Sequence, residues 1–250
     1  MIIETPNPFS QKVTNDALQH AKEVFPQEAA GLVVDGKYCP ATNRADSPED
    51  DFEIPKEEVA AAYATGKLQG VWHSHTKGQN SPSRVDMQSQ IGMGLPWGIH
   101  VLEPGQDGPS FVNTLTFGDH LLDTPLEGRT WVSGVYDCVS LVRSYLYQTK
   151  GIVIPDFARD VDWWDESSGS PFLEVLPRYE EYLHTLPAET PFEVGDIVVM
   201  AIRSSHPNHF GVILEPAVIL HHMHGTLSSK RPFVTLQGAV THILRTKTHD

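Results

Sequence analysis

The chain has 250 residues, and its 32 acidic side chains outnumber its 18 Lys and Arg side chains, giving a formal net charge of −14. A negative field of this size repels phosphate backbones and anionic lipids, so we expect no nucleic-acid partner. The two cysteines, Cys39 and Cys138, exclude a zinc site made of thiolates alone. A chain of this length favours two compact domains.

The N-terminal segment MIIETPNPFSQK has neither the basic start nor the apolar stretch of a secretory signal. We therefore expect synthesis in the cytosol without export by a signal peptide. The sequence also has no apolar run of the ~18 residues needed to cross a bilayer, so we expect no direct membrane insertion.

The first half alternates helix and strand patterns. Apolar residues at helical spacing follow Ser10 and predict a helix with that serine as N-cap. The dipeptide Asp35-Gly36 between GLVV and KYCPA predicts a hairpin. A second helix is predicted between Pro55 and Gly66. The segments GVWHSH and GIHVLEP are predicted strands on either side of a further helix.

The pattern weakens between about residues 103 and 130, where Gly, Pro and Asp are frequent. We predict a domain over residues 1–115, a linker over 116–129 and a second domain over 130–250. In the second half a helix is predicted from Asp137 to Gly151, followed by a polar insertion with Trp163 and Trp164. Four later apolar segments predict a small antiparallel sheet.

His73 and His75 lie two residues apart in a predicted strand, so both imidazoles face one side. A His-x-His pair alone is common on protein surfaces and usually binds nothing. With Asp86 as a third ligand, however, it forms the two-imidazole, one-carboxylate set of catalytic zinc sites. Ser83 stands at the entry to the next helix, and Glu28 on a preceding element would be the general base.

The string from Glu28 through His73-Ser-His75 to Ser83-Arg-Val-Asp86 resembles the JAMM metalloprotease signature in residue type, order and spacing. The resemblance implies Zn2+ held by His73, His75 and Asp86. It further implies that Glu28 moves the proton of the attacking water and that Ser83 stabilises the oxyanion.

Cys138 stands at the start of a predicted helix, where partial positive charge and free amides lower the pKa of a thiol. His209 opens one predicted strand and His221 ends the next, so adjacent antiparallel strands would bring them together. His209 would then deprotonate the thiol, and His221 would orient the ring of His209. We therefore expect Cys138 to be alkylated faster than Cys39, which we interpret as a packing residue.

The motifs YDCVSLV, VGDIVVM and HFGVILEPAVILHH resemble, in this order, those of NlpC-type cell-wall cysteine peptidases. The resemblance implies Cys138 as nucleophile, His209 as base and His221 as the third polar residue. Three further histidines match no catalytic position and are interpreted as groove or edge residues exposed to solvent: His206, His222 and His224.

A JAMM-like half followed by an NlpC-type half resembles the phage lambda tail assembly protein K family, as do the segments GLPWG, IPDFARDVDWW and ILHHMHGTLS. The resemblance implies an α+β fold, with a mixed-sheet N-terminal domain flanked by helices. Its papain-like C-terminal domain would place the cysteine helix before an antiparallel sheet. The resemblance also implies a hydrolase of the virion tail tip, made in the host cytoplasm, with other tail-tip proteins as partners and bacterial peptidoglycan as substrate.

Three functions stay open at this point. The first is a cysteine endopeptidase that cleaves peptidoglycan stem peptides. The second is a tail-assembly or docking factor in which catalysis is secondary. The third is a zinc protease or isopeptidase that processes a tail protein. Motif residues establish a capacity for chemistry and not its use.

Overall fold

The computed structural model describes residues 5–161 and 171–247. It divides into two compact units, Met1–Pro82 with Ser89–Leu121 and Ser83–Gln88 with Leu122–Asp250. The insertion expected at Trp163 and Trp164 lies outside the described residues. Within the described ranges, no helix combines the length and the apolar character needed to cross a membrane.

The strands of the first unit are β1 (Ala30–Val34), β2 (Lys37–Ala41), β3 (Leu68–His75), β4 (Trp97–Gly105) and β5 (Gly108–Phe117). They form one sheet in the order β2-β1-β3-β4-β5. Only β3 and β4 are parallel, and the other neighbours are antiparallel. The helices in this half of the chain are α1 (Gln11–Val24), α2 (Lys56–Ala64) and α3 (Arg84–Met93). The predicted mixed sheet with helices is confirmed.

Local sequence explains the start of this half. The hydroxyl of Ser10 accepts a hydrogen bond from the amide of Val13 and caps α1, as predicted. Val13 and Ala17 are buried against the sheet. The predicted hairpin turn forms at Asp35 and Gly36, where φ is 51° and 72°. Two-residue hairpin turns require positive φ, which Asp and Gly adopt more readily than most residues.

The sequence pattern weakens after residue 103, but the structure has regular strands there. β4 continues to Gly105 and β5 returns antiparallel from Gly108, with Leu115 and Phe117 buried. The Gly and Pro residues at 104–109 therefore belong to a tight hairpin. Their turn chemistry masked the strand that follows, because in FVNTLTF the polar residues Asn113 and Thr116 occupy buried positions and break the apolar alternation.

In the second half the helices are α4 (Cys138–Lys150) and α5 (Pro171–Tyr179). The strands are β6 (Leu183–Pro187), β7 (Ile197–Met200), β8 (His209–Glu215), β9 (Val218–His221), β10 (Ser229–Pro232) and β11 (Val240–Thr246). They lie in the order β10-β9-β8-β7-β11-β6, and all neighbours are antiparallel. A helix followed by an antiparallel sheet confirms the prediction and completes an α+β fold.

The helix that begins at Cys138 is bounded as predicted. Asp137 caps its start, and Gly151, with φ of 67°, ends it in the left-handed conformation. Val139 and Leu146 are buried in the core cluster that also contains Phe210 of β8. This packing fixes the start of α4 against the start of β8.

Candidate active sites

The three predicted metal ligands converge. His73 and His75 end β3, and Asp86 lies in the first turn of α3. One ligand atom from each residue lies within 4.8 Å of the others, and all three side chains are buried. Two imidazole nitrogens and one carboxylate oxygen at this separation match the donor set of a catalytic zinc site. These residues therefore fit a zinc ion.

Hydrogen bonding fixes which nitrogen of His75 faces this cluster. Its Nδ1 lies 2.8 Å from the backbone oxygen of Gln79, and a carbonyl oxygen only accepts, so Nδ1 donates. In the neutral ring Nε2 then carries a lone pair, and it lies 3.2 Å from Nε2 of His73. The Gln79 carbonyl thus orients the ring in the way that outer-shell partners orient metal ligands.

Glu28 lies at the same end of the paired strands β1 and β3 as the two histidines. The amide of Ser74 donates to the carbonyl of Ala29 at 3.0 Å, and the amide of Ala29 donates to the hydroxyl of Ser74 at 2.8 Å. Because β1 and β3 are antiparallel, the residue before Ala29 comes opposite His75. Glu28 is buried there, with 7% exposure.

Ser83 and Asp86 hold each other at the start of α3. The amide of Ser83 donates to Oδ2 of Asp86 at 2.7 Å, and the amide of Asp86 donates to Oγ of Ser83 at 3.1 Å. This reciprocal pair orients the carboxylate and uses the serine hydroxyl only as an acceptor. The hydroxyl proton of Ser83 is not needed for either bond.

Two residues at this site escaped the sequence analysis. The ring of Phe52 stacks on His73, with centroids 4.5 Å apart and planes at 26°. Asn43 donates to the carbonyls of Glu28 at 3.0 Å and Asp51 at 2.9 Å, which ties the loop before α2 to the start of β1. Both lie in an irregular loop, where no periodic pattern marks them.

Cys138 is the first residue of α4. The carboxylate of Asp137 accepts from the amide of Ser140 at 3.0 Å, and the hydroxyl of Ser140 accepts from the amide of Asp137 at 2.8 Å, forming a capping box. The thiol is buried in the same core cluster as Phe210, the residue after His209. The predicted nucleophile and the predicted base thus belong to elements that pack against each other.

Burial determines the protonation of the thiol. Cys138 is 1% exposed, and its removal from water raises its pKa to about 12, with the charge of Asp137 adding to the rise. The sequence analysis expected the helix end to lower this pKa. In the structure desolvation outweighs the helix dipole, so the resting thiol keeps its proton at neutral pH.

The predicted imidazole pair is present. In the register Gly211 pairs with His221, so His209, on the same face of β8, is its diagonal neighbour. Nε2 of His209 lies 3.1 Å from Nδ1 of His221, and the ring planes meet at 80°. Burial and the neighbouring His221 lower the pKa of His209 to about 3, so its ring is neutral and able to accept a proton.

Gly211 is a further residue that the sequence analysis missed. A Cβ atom there would lie 2.4 Å from Cδ1 of Ile219 on β9. The glycine therefore leaves room for the Ile219 side chain on the face of β8 and β9 that carries the two imidazoles. Its only signal in the sequence is its position inside a strand pattern, which often marks close backbone approach.

The expectation of solvent exposure is right for His206 and His224 and wrong for His222. His222 is 0% exposed, and its Nε2 donates to the carbonyl of Thr226 at 3.1 Å. Among the residues that the structure describes, its Nδ1 has no hydrogen-bond partner. Trp131 packs edge-on against the ring at 5.1 Å.

Comparison with known proteins finds a different family model for each half of the chain. Residues 10–113 match the model for prokaryotic homologs of the JAB domain, and residues 126–242 match the NlpC/P60 family. Over 227 residues the chain is 32% identical to tail tip assembly protein K of Escherichia phage N15, covering 89% of each protein. The chain belongs to the tail tip assembly protein K family. Tail tip assembly protein K of Escherichia phage lambda is 29% identical over 198 residues, which are 79% of this chain and 87% of that protein.

The K-family relatives and the two family matches confirm the family and the order of domains inferred from the sequence. The three candidate metal ligands lie inside the JAB-like match, and the thiol and the imidazole pair lie inside the NlpC/P60 match. Each half of this K-family chain therefore has its own candidate site.

Proposed function

We propose that this K-family protein is a tail-tip hydrolase whose C-terminal half cleaves stem peptides of bacterial peptidoglycan. The observation that carries the proposal is the buried thiol at the capped start of α4, next to a strand that opens with one member of an imidazole pair. We propose residues 1–115 and 130–250 as the two domains, with 116–129 as linker.

The thiol half supplies a nucleophile and a base. Because Cys138 and His209 are both neutral at pH 7, the proton passes from Sγ to the imidazole as the sulfur attacks the amide carbon of the substrate. The new imidazolium is stabilised by its hydrogen bond to His221. The reaction therefore needs a proton transfer within the site and no preformed thiolate.

The remaining steps use groups already in place. The backbone amide of Cys138, at the first position of α4, donates to the oxyanion of the tetrahedral intermediate. His209 returns the proton to the leaving amine, and a thioester to Cys138 remains. Water then attacks the thioester while His209 accepts its proton, and the free thiol is restored.

We further propose that the N-terminal half is a zinc-dependent peptidase or isopeptidase. A zinc ion held by His73, His75 and Asp86 would supply polarisation of a carbonyl and a water of lowered pKa. Glu28 accepts the proton of the attacking water at its carboxylate and passes it to the leaving amine. The hydroxyl of Ser83 donates to the developing oxyanion.

The printed names of the relatives support a place in the phage tail. We propose that the chain is made in the host cytoplasm and then joins other proteins of the virion tail tip. Such an assembly would carry a hydrolase to the cell wall. The same names favour a second candidate function, in which the chain acts in tail assembly and its catalysis is secondary.

Digestion of purified peptidoglycan tests the proposal. The wild-type protein should release stem-peptide fragments, which mass spectrometry would assign to a cleaved bond, and Cys138→Ala should release none. Cys39→Ala is the matched control and should digest at the wild-type rate, because Cys39 lies exposed on β2. Equal release by wild type and Cys138→Ala would contradict the peptidase assignment, and no release by folded wild type would favour the assembly function.

The zinc half needs its own substrates. Incubation with the other tail-tip proteins of the same phage would reveal a processing activity as a new fragment. The fragment should be absent with Glu28→Gln and present with Cys138→Ala. The opposite pattern would assign the cleavage to the thiol half.

A further inference from the structure

A buried ion pair includes Asp137, the residue that precedes Cys138 and caps α4. The side chains of Arg159 and Asp137 are both 0% exposed. Nε of Arg159 donates to Oδ2 of Asp137 at 2.7 Å, and Nη2 donates to Oδ1 at 3.0 Å. Such a bidentate pair is directional, and removal of one partner leaves an uncompensated buried charge.

The ion pair is part of a neutral cluster of two carboxylates and two guanidinium groups. Nη1 of Arg159 donates to Oδ1 of Asp156 at 2.8 Å, and Nη1 of Arg143 donates to Oδ2 of the same carboxylate at 3.2 Å. Nε of Arg143 donates to the carbonyl of Ile154 at 3.0 Å. Both arginines therefore hold segment 154–159, and in the hydrogen bonds given for the described residues it is Arg159 that reaches Asp137, the cap of α4.

Each carboxylate oxygen of Asp137 accepts two hydrogen bonds. Oδ2 accepts from the amide of Gly134 at 2.9 Å, Oδ1 accepts from the amide of Ser140 at 3.0 Å, and each oxygen also accepts from Arg159. This carboxylate adjoins Cys138 in the chain, where its negative charge opposes a thiolate. The guanidinium of Arg159 supplies the opposite charge.

We propose that Arg159 is a positioning residue for Cys138, because it fixes the Asp137 cap and cancels the carboxylate charge beside the sulfur. The inference rests on the proposed role of Cys138 as nucleophile. The opposed effects of the two charges on the thiol agree with it, since Asp137 raises the pKa of Cys138 and Arg159 lowers it. The resting thiol would be harder still to ionise without the arginine.

The other titratable groups around the cluster are His209 on β8, His221 and His222 at the end of β9, and Tyr179 on α5. Burial lowers the pKa values of the three imidazoles to about 3 or 4 and raises that of the phenol, so all four are neutral between pH 7 and 9. Arg129 also acts on Asp137 and is the same in every variant below. The Asp137 and Arg159 charges are therefore the ones to vary.

The test is the rate of Cys138 alkylation by iodoacetamide against pH, in a Cys39→Ser background that leaves a single thiol. Arg159→Met should displace the profile upward by about one pH unit, which is about tenfold slower alkylation at pH 8. Asp137→Asn keeps a capping oxygen and should displace the profile downward by a similar amount. The double variant is neutral again and should alkylate near the rate of the background protein.

Opposite displacements with recovery in the double variant identify an effect of charge. A merely structural role would displace both single variants in one direction without recovery, and that result would overturn the proposal. Arg143→Met is the matched control: it removes a buried arginine of the same cluster whose hydrogen bonds within the described residues go to Ile154 and Asp156, so its profile should not move.

If Arg159→Met does not fold, Arg159→Lys and the double variant still decide the question, because both keep the cluster neutral. Profiles within about half a pH unit of the background protein support the proposal, provided that Asp137→Asn is displaced downward. A larger upward shift for either one, or none for Asp137→Asn, overturns it. The assay needs no peptidoglycan, so an inactive wild type would refute the proposed function without affecting this outcome.

Discussion

The two candidate sites reach their geometry in different ways. In the N-terminal half, His73 and His75 share one strand and Asp86 follows in the next helix, so the ligands are close in sequence and in space. In the C-terminal half, Cys138 comes from a helix, and only the register of β8 and β9 brings His209 to its partner. Spacing along the chain determines the first site, and strand pairing determines the second.

The sites also differ in charge. The first brings together metal-donor atoms, and the Nε2 atoms of His73 and His75 lie 3.2 Å apart, where both could bind one cation. The second holds a protonated thiol and neutral imidazoles, for which burial is the main cause. One site should therefore depend on a metal and the other should not.

The largest expected effect is on metal content. The intact protein should bind one equivalent of zinc, and His73→Ala or Asp86→Ala should lose nearly all of it, because a three-ligand site loses most of its affinity with any ligand. Elemental analysis after dialysis measures this directly. Glu28→Gln is the control and should keep its zinc, since the proposed role of Glu28 is proton transfer. Full metal content in both ligand variants would refute the site.

The second expected effect is a loss of stability in acid. Burial lowers the pKa values of His209 and His222 to about 3 and about 4, whereas in the unfolded chain a histidine titrates near 6.5. As the pH falls below about 6.5 the unfolded chain binds these protons first, so stability that is complete above that pH declines toward pH 4. The expected loss is on the order of 3 kcal/mol for each histidine.

Urea unfolding followed by circular dichroism at pH 7.5 and pH 4.5 measures this loss. His222→Gln removes one of the titrating groups and should show a smaller decline between the two pH values than the wild type. An equal unfolding free energy at both pH values in the wild type would contradict the buried neutral imidazoles.

The sequence predicted most of the elements that carry these sites. Capping at Ser10 and Asp137, the turn at Asp35 and the left-handed Gly151 were all recognisable because each has a local chemical cause. It did not predict β5, β6, β10 or α5. Of these, β10 is a polar edge strand and β5 follows a turn-rich segment, so neither shows a clear apolar alternation.

The third prediction concerns the two thiols. Cys39 is exposed and Cys138 is buried, with its pKa raised to about 12, so at pH 7.5 Cys39 should be alkylated at least about tenfold faster. The rate at Cys138 should still rise with pH at pH 10. Peptide mass spectrometry separates the two sites. If Cys138 is instead labelled faster than Cys39, with a rate that reaches a plateau below pH 8, the pKa of its thiol is lowered as the helix end alone would predict.

Sequence patterns could give the direction of the helix-dipole effect on Cys138 but not the depth of its burial. The side chain is enclosed by a core that includes Phe210 and Val199, which come from distant strands. The same limit applies to Phe52, Asn43 and Gly211. Their contributions come from tertiary contacts that no local spacing encodes.

The smallest expected effect is at Phe52. Its ring orients His73 by stacking, and Phe52→Leu should weaken zinc binding by about threefold, the scale of a lost aromatic contact. Competition with a chelating dye would measure the affinity. Phe111→Leu is the matched control, because Phe111 is exposed on β5 and is expected to leave zinc affinity unchanged. If Phe52→Leu and Phe111→Leu bind zinc with equal affinity, Phe52 does not contribute to zinc binding.

The most direct test of two independent sites is the initial rate of peptidoglycan digestion for wild type, Cys138→Ala and His75→Ala, each with and without prior zinc chelation. We expect chelation and His75→Ala to leave the rate within about twofold of wild type, and Cys138→Ala to abolish digestion with or without zinc. Loss of digestion on chelation, with activity retained in Cys138→Ala, would contradict the account and assign the cell-wall activity to the metal half.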